Sequence, residues 1–246
     1  MKTDLLRFVS LEELSLAAAE RVIEYANQAI KERGVFNVAL AGGSTPRGLY
    51  DVLSSSGYQS KTDWSCWRIY FGDERLVPLT DSRSNYAMAK EHLLDNVPIS
   101  GEHIYMPPVH LLDARNVAMK YERTIKGNFG NASSIPRLDL ILLGLGSDGH
   151  TASLFPDMPA LEVTDRLVTY SSPGVLPPPV ERVTFTLPFI NAARHILFLA
   201  SGEDKPEAFK AAYYGTPLGL VKRVPASMVN PKDGDIRWLV TAELTT

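Results

Sequence analysis

Leu138 to Pro156 reads LDLILLGLGSDGHTASLFP, an almost wholly apolar run that opens into a glycine-rich loop carrying a single histidine. Leu138–Leu143, bounded by Pro136 and Gly144, has the composition of a strand buried on both faces, as in a parallel sheet covered by helices. Open α/β sheets take their ligands beyond the carboxyl ends of such strands, so the loop is expected to form an active-site edge. Gly144, Gly146 and Gly149 permit positive φ and close backbone approach, and Asp148 and His150 set a carboxylate two residues from an imidazole. The three glycines also spell G-x-G-x-x-G, with Asp165 near the spacing of a ribose-binding acid. A dinucleotide site needs a long helix at the third glycine, but Pro156 and Pro159 leave room for barely two turns. Asp165 also precedes the next strand-like run, Arg166–Tyr170, instead of ending it. The remaining alternative to an active-site loop is a structural glycine turn.

Working outward, helical and strand-like patterns alternate. Leu11–Lys31 is amphipathic, with Leu14, Ala17, Ala18, Val22, Tyr25 and Ala29 at helical spacing before Gly34. Further helices are expected at Pro46–Ser54, Asn85–Leu94, Ala114–Lys126 and Lys205–Tyr213. Strands are expected at Asn37–Ala41, Arg68–Phe71, Leu138–Leu143, Arg166–Tyr170, Arg182–Leu187, Ile196–Ala200 and Ile236–Val240. The alternation predicts a doubly wound α/β fold, a mostly parallel sheet with helices on both faces, in a single domain spanning 1–246. The Pro-rich Ser171–Pro179 reads as a surface loop, either a rim of the site or a plain connection.

With 246 residues, 45% hydrophobic, the chain can bury a full core, and a formal charge of −3 gives no global reason to bind nucleic acid or membrane. No run approaches the ~18 apolar residues of a membrane span, and the N-terminus lacks a signal peptide's apolar core. A cytoplasmic protein is expected, a monomer or small homo-oligomer. Its single cysteine, Cys66, excludes an intrachain disulfide and reads as packing between Trp64 and Trp67, and the sequon at Asn131 is then accidental.

Two more polar clusters follow buried-looking strands. In Ala41–Pro46 (AGGSTP), Thr45 is placed to cap a helix whose first residue is Pro46. Gly42, Gly43, Ser44, Thr45 and the unpaired amides of that terminus suit a phosphate, while the missing Gly-Lys-Ser/Thr ending excludes an ordinary nucleoside-triphosphate loop. A helix cap and nothing more is the alternative. Gly72–Arg75 stacks Asp73, Glu74 and Arg75, either as a solvated turn or as a third edge of one crevice.

Taken together, AGGSTPRGLY (Ala41–Tyr50), FGDERLVP (Phe71–Pro78), DSRSNY (Asp81–Tyr86), GLGSDGHTASLFP and ERVTFT (Glu181–Thr186), with Gly202 and Lys205, closely resemble the 6-phosphogluconolactonase family. The resemblance runs through nearly the whole chain. It implies a fold related to ribose-5-phosphate isomerase and glucosamine-6-phosphate deaminase. It also implies a carboxylic ester hydrolase of the oxidative pentose phosphate pathway acting on 6-phospho-D-glucono-1,5-lactone. Arg182 and Lys205 fall at the family's phosphate-binding positions, and Arg75 lies in its acidic-basic cluster. One departure is C-terminal, where Leu239, Val240 and Thr241 follow Trp238 in place of the family's common acid.

Lactone hydrolysis needs an activated water, a stabilised oxyanion and a proton for the leaving ring oxygen. An imidazole exchanging protons near neutrality suits the first and last, which points to His150, oriented by Asp148 or Asp73. Amides of the loop at Gly146 and Gly149 are candidates for the oxyanion. His92, His103, His110 and His195 lack a comparable setting. No histidine pair has metal spacing, so neither metal nor cofactor is expected. The rivals are a sugar-phosphate isomerase or deaminase, whose branch carries a glutamate where this chain has Phe155, and a non-catalytic sugar-phosphate sensor.

Overall fold

The computed structural model describes residues 2–130, 134–173 and 179–245. Its strands are β1 (Lys2–Phe8), β2 (Phe36–Leu40), β3 (Trp67–Phe71), β4 (Asp73–Arg75), β5 (Leu140–Leu143), β6 (Val168–Ser171), β7 (Arg182–Phe185), β8 (His195–Ala200) and β9 (Asp235–Thr241). Its α-helices are α1 (Leu11–Arg33), α2 (Ser44–Leu53), α3 (Ser56–Gln59), α4 (Asn85–Ala89), α5 (Ala114–Asn128), α6 (Leu187–Ile190) and α7 (Pro206–Tyr214). Helix α1 opens where Ser10 accepts the Glu13 amide and closes where Gly34 turns left-handed at φ 75°. The sequon at Asn131 and most of the expected Ser171–Pro179 loop lie outside the described residues.

Six strands form a wholly parallel sheet in the order β1-β9-β8-β5-β2-β3. Because side chains alternate across a strand, the sheet divides the core in two. Val38, Leu40, Leu140, Leu142, Leu197 and Leu199 pack with α1 and α2 on one face. Ala39, Ile141, Leu143, Ile196, Phe198 and Trp238 pack on the other with α5, α6 and α7. Helices thus cover both faces, as expected.

The strands expected at Arg166–Tyr170 and Arg182–Leu187 do not join that sheet. As β6 and β7 they form a second, antiparallel sheet with β4, in the order β4-β7-β6 with β7 paired to both, and contribute to the α5 side of the core. All four β7 residues are buried, a pattern that reads the same in either sheet. The chain enters this second sheet straight from β3 through Gly72, whose carbonyl accepts the Phe185 amide at 2.8 Å.

From β2 the chain moves to β3 on one side, and β5 is later inserted on the other. The loops after β2 and β5 therefore diverge and leave a crevice at the carboxyl edge. Two buried tyrosines complete the backbone bonding at this edge. The Tyr50 hydroxyl, from α2, accepts the Ala41 amide at 3.0 Å and donates to the Ala41 carbonyl at 2.8 Å. The Tyr121 hydroxyl, from α5, accepts the Phe71 amide at 2.8 Å and faces the Phe71 and Tyr105 carbonyls at 3.2 Å each.

Tyr50→Phe removes the partner of both Ala41 groups without changing the core's apolar volume. Stability is expected to fall by about 1–3 kcal/mol, the usual penalty of unsatisfied buried backbone groups. It should appear as a lower urea midpoint at unchanged slope. An unchanged midpoint would show that Ala41 does not depend on this hydroxyl.

Candidate active site

The crevice, about 360 Å³, is lined from the ends of β2, β3, β5, β7 and β8. His150, Asp73, Arg75, Arg182, Lys205, Gly42, Gly43, Ser44, Thr45 and Gly146 all face it, whereas Asp148 and Gly149 do not.

Asp148 stands behind the histidine. Its Oδ1 lies 2.6 Å from His150 Nδ1 and also accepts the His150 amide at 3.0 Å, so one oxygen fixes ring and backbone together. With Nδ1 turned to the carboxylate, Nε2 is the ring atom left for the crevice. Of the two orienting acids open from sequence, Asp148 makes this contact. Burial works to raise its carboxyl, but the hydrogen bond and charge of His150 outweigh it and hold Asp148 below the ordinary value. Gly146 makes the arrangement possible, since a Cβ there would lie 2.0 Å from His150 Nδ1.

The amides expected at an oxyanion are engaged inside the loop. Gly146 N–H donates to the His150 carbonyl at 2.9 Å, and Gly149 N–H donates to the Gly146 carbonyl at 3.0 Å. A Cβ at Gly149, whose φ is 83°, would lie 2.8 Å from Val224 and 3.2 Å from Leu218, outside the crevice. The helix required of a dinucleotide loop is absent, for only a short 3-10 turn, Pro159–Glu162, follows.

After β2, helix α2 begins at Ser44, two residues earlier than expected. Gly43 is the N-cap, at φ 103°, with no side-chain cap bond. Thr45 does not cap because it lies inside the helix, where its hydroxyl is 2.8 Å from Ser201 Oγ. The first amides and the positive end of the helix dipole are thereby left for an anion. Gly42 is needed for close packing, since a Cβ there would sit 1.8 Å from Asn85 Oδ1.

The charged run after β3 is not a solvated turn. Glu74 is fully buried and accepts the amides of Arg75, Asn85 and Tyr86, each at 2.8 Å, with the Ser84 hydroxyl at 3.0 Å. Burial pushes its carboxyl upward against those bonds. Asp73 accepts Ser153 Oγ at 2.6 Å and Asn85 Nδ2 at 3.2 Å. Arg75 lies directly across β4 and β7 from Arg182. Like charges so placed repel, and an anion between them relieves the repulsion. Burial lowers the Arg182 guanidinium against the opposing charge of Asp73, and burial likewise lowers the Lys205 ammonium against Asp204.

Sequence reasoning missed Ser153, Asn85, Ser201 and Asp204. The available signal for the first two was that a buried Asp73 requires donors. The other histidines lie outside the crevice: His92 pairs with Asp51, His103 with Arg68, and His195 with Asp235 beneath Tyr25. Among the described residues no three potential metal-ligating side chains cluster, and no helix is long and apolar enough to cross a membrane.

A family model described as glucosamine-6-phosphate isomerases/6-phosphogluconolactonase matches residues 10–238. A probable 6-phosphogluconolactonase 1 of Arabidopsis thaliana is 39% identical over 241 residues, 94% of this chain and 88% of that one. A solved 6-phosphogluconolactonase from Trypanosoma cruzi superposes with a TM-score of 0.87 at 32% identity, covering 99% of this chain and 96% of its own. A monomeric glucosamine-6-phosphate deaminase shares the fold at a TM-score of 0.80 and 21% identity, covering 100% and 99% of the two chains.

A carboxyl held below its ordinary value leaves the folded state with fewer bound protons than the unfolded one between the two values, so its stabilisation grows with pH through that window. Asp148→Asn should therefore be less stable than the parent at neutral pH. The gap should close as pH falls below the ordinary value of 3.8 and through the depressed one. Urea midpoints of both proteins measured across pH check this, and a gap independent of pH would refute it.

Proposed function

Because the chain belongs to the glucosamine-6-phosphate isomerase/6-phosphogluconolactonase family, we propose that it hydrolyses 6-phospho-D-glucono-1,5-lactone to 6-phospho-D-gluconate with His150 as general base. The observation that carries this reading is the His150–Asp148 contact of 2.6 Å in a crevice that also holds an uncapped helix terminus. Nε2 takes a proton from water as the oxygen attacks the lactone carbonyl. The tetrahedral intermediate collapses with cleavage of the bond to the ring oxygen, which receives the proton from the imidazolium. Asp148 stabilises the imidazolium between these steps. With the Gly146 and Gly149 amides engaged, the positive wall of the crevice supplies the field for the developing oxyanion.

The phosphate is assigned to the α2 terminus at Gly42–Thr45, with Arg182, Lys205 and Arg75 as cations. Asp73 faces the crevice from a fixed carboxylate and is available to a sugar hydroxyl. Phe155, buried and apolar where the deaminase branch carries an acid, disfavours proton shuttling at a sugar carbon. We place the enzyme in the cytoplasm, without cofactor.

The direct test offers the protein 6-phosphogluconolactone and glucosamine 6-phosphate, following acid release and ammonia release. Acid release alone is expected. His150→Asn should slow it by about 10²- to 10⁴-fold after correction for spontaneous hydrolysis, with the fold intact. Near-normal turnover would remove His150 from the mechanism. Arg182→Ala or Lys205→Ala should each lower kcat/KM by roughly one to two decades, the equivalent of one charge-assisted hydrogen bond. The preference for the phosphorylated over the unphosphorylated lactone should shrink with it. Equal loss on both lactones would show that these side chains do not read the phosphate.

A further inference from the structure

Phe155 touches two functional groups at once. Its ring centre lies 4.7 Å from the His150 imidazole, inclined at 42°, and 5.0 Å from the Arg182 guanidinium carbon. The ring is 1% exposed and Arg182 3%, so the contact is buried and water does not compete for it. The guanidinium is drawn to the ring's negative face, which sets Arg182 in position as well as filling the space beside it.

The backbone around Phe155 is an independent sign of constraint. Ala152 at φ 48° and Asp157 at φ 56° are two of the three non-glycine residues in the left-handed region among the described residues, and they flank Phe155 on either side. Both stand in tight turns, closed by the Leu154 amide on the Thr151 carbonyl at 3.0 Å and the Met158 amide on the Phe155 carbonyl at 3.3 Å, so the segment that carries the ring is held at both ends.

We propose that Phe155 is a positioning residue that fixes His150 relative to Arg182, making anion seating on Arg182 and alignment of the imidazole a single event. This rests on the function proposed above. The ring transmits position, so an aliphatic side chain of similar bulk does not replace it.

The experiment compares Phe155→Leu with Phe155→Tyr in the full chain. The leucine variant should lose about ten- to a hundred-fold in kcat/KM on the phosphorylated lactone, the scale expected for slight misplacement of reacting groups. Its preference over the unphosphorylated lactone should shrink, and Arg182→Ala should then have less further effect than in the parent. The tyrosine variant, which keeps the ring, should retain most activity. With ¹⁵N-labelled histidine, inorganic phosphate should shift the His150 ring signals in the parent and much less in Phe155→Leu. Unchanged kcat and preference in a leucine variant that merely melts earlier, or independent effects of the two substitutions, would overturn the proposal. Should the leucine variant not fold, the labelled parent and Arg182→Ala decide, and equal phosphate-induced shifts in both would overturn it. A parent without lactonase activity would instead overturn the proposed function while leaving the spectroscopic test in force.

Discussion

Backbone bonding at the carboxyl edge of the parallel sheet constrains everything else in this molecule. Where β2, β3 and β5 leave their ladders, buried amide and carbonyl groups lose strand partners, and each needs another. Two of the edges are closed by tyrosine hydroxyls brought in from helices. The third closes on itself: Gly146 bonds to His150, Gly149 to Gly146, and the Thr151 hydroxyl to the Gly144 carbonyl at 2.8 Å. The bonds that satisfy the loop after β5 are therefore the ones that locate the histidine.

The crevice is also an electrostatic construction, in a chain whose formal charge is −3. Asp73, which faces it, is anchored by Ser153 and Asn85 before any ligand arrives, and Asp148, behind the histidine, is held by His150. Arg75 and Arg182 face each other across two strands, and Lys205 is partly desolvated. Two guanidinium groups set opposite each other favour an anion locally, whatever the net charge of the chain.

Most of the parallel sheet was legible because β2, β3, β5 and β8 are short apolar runs each followed within two residues by a glycine, and the crevice because three such runs end in polar clusters. What escaped was partner choice. β6 and β7 look like any buried strand, since hydrophobic period reports burial and not which sheet does the burying. β4 was hidden by its charges, which read as a turn until Glu74 is seen accepting three amides. β1, KTDLLRF, mixes charge with apolar residues and carries no clear alternation. Thr45 fitted the local rule for a cap, but the helix starts one residue before it, and its hydroxyl meets that of Ser201, far along the chain. Ser153 and Asn85 answer to a carboxylate distant in sequence, which no window of neighbouring residues contains.

The pairing of β1 with β9 sets an order on how the chain is completed. All seven residues of β1, Lys2–Phe8, lie in register with Asp235–Thr241, so β1 is matched to a strand made long after it. During translation, β1 has no partner until Asp235 has been added, roughly 10–50 s later at ordinary elongation rates. The strands β2, β3, β5 and β8 can assemble on one another in that interval, and β9 then docks on β8 and receives β1 on its other side. The outer edge of the sheet thus closes only after β9 has been made, and until then its residues are among those a chaperone or protease can reach.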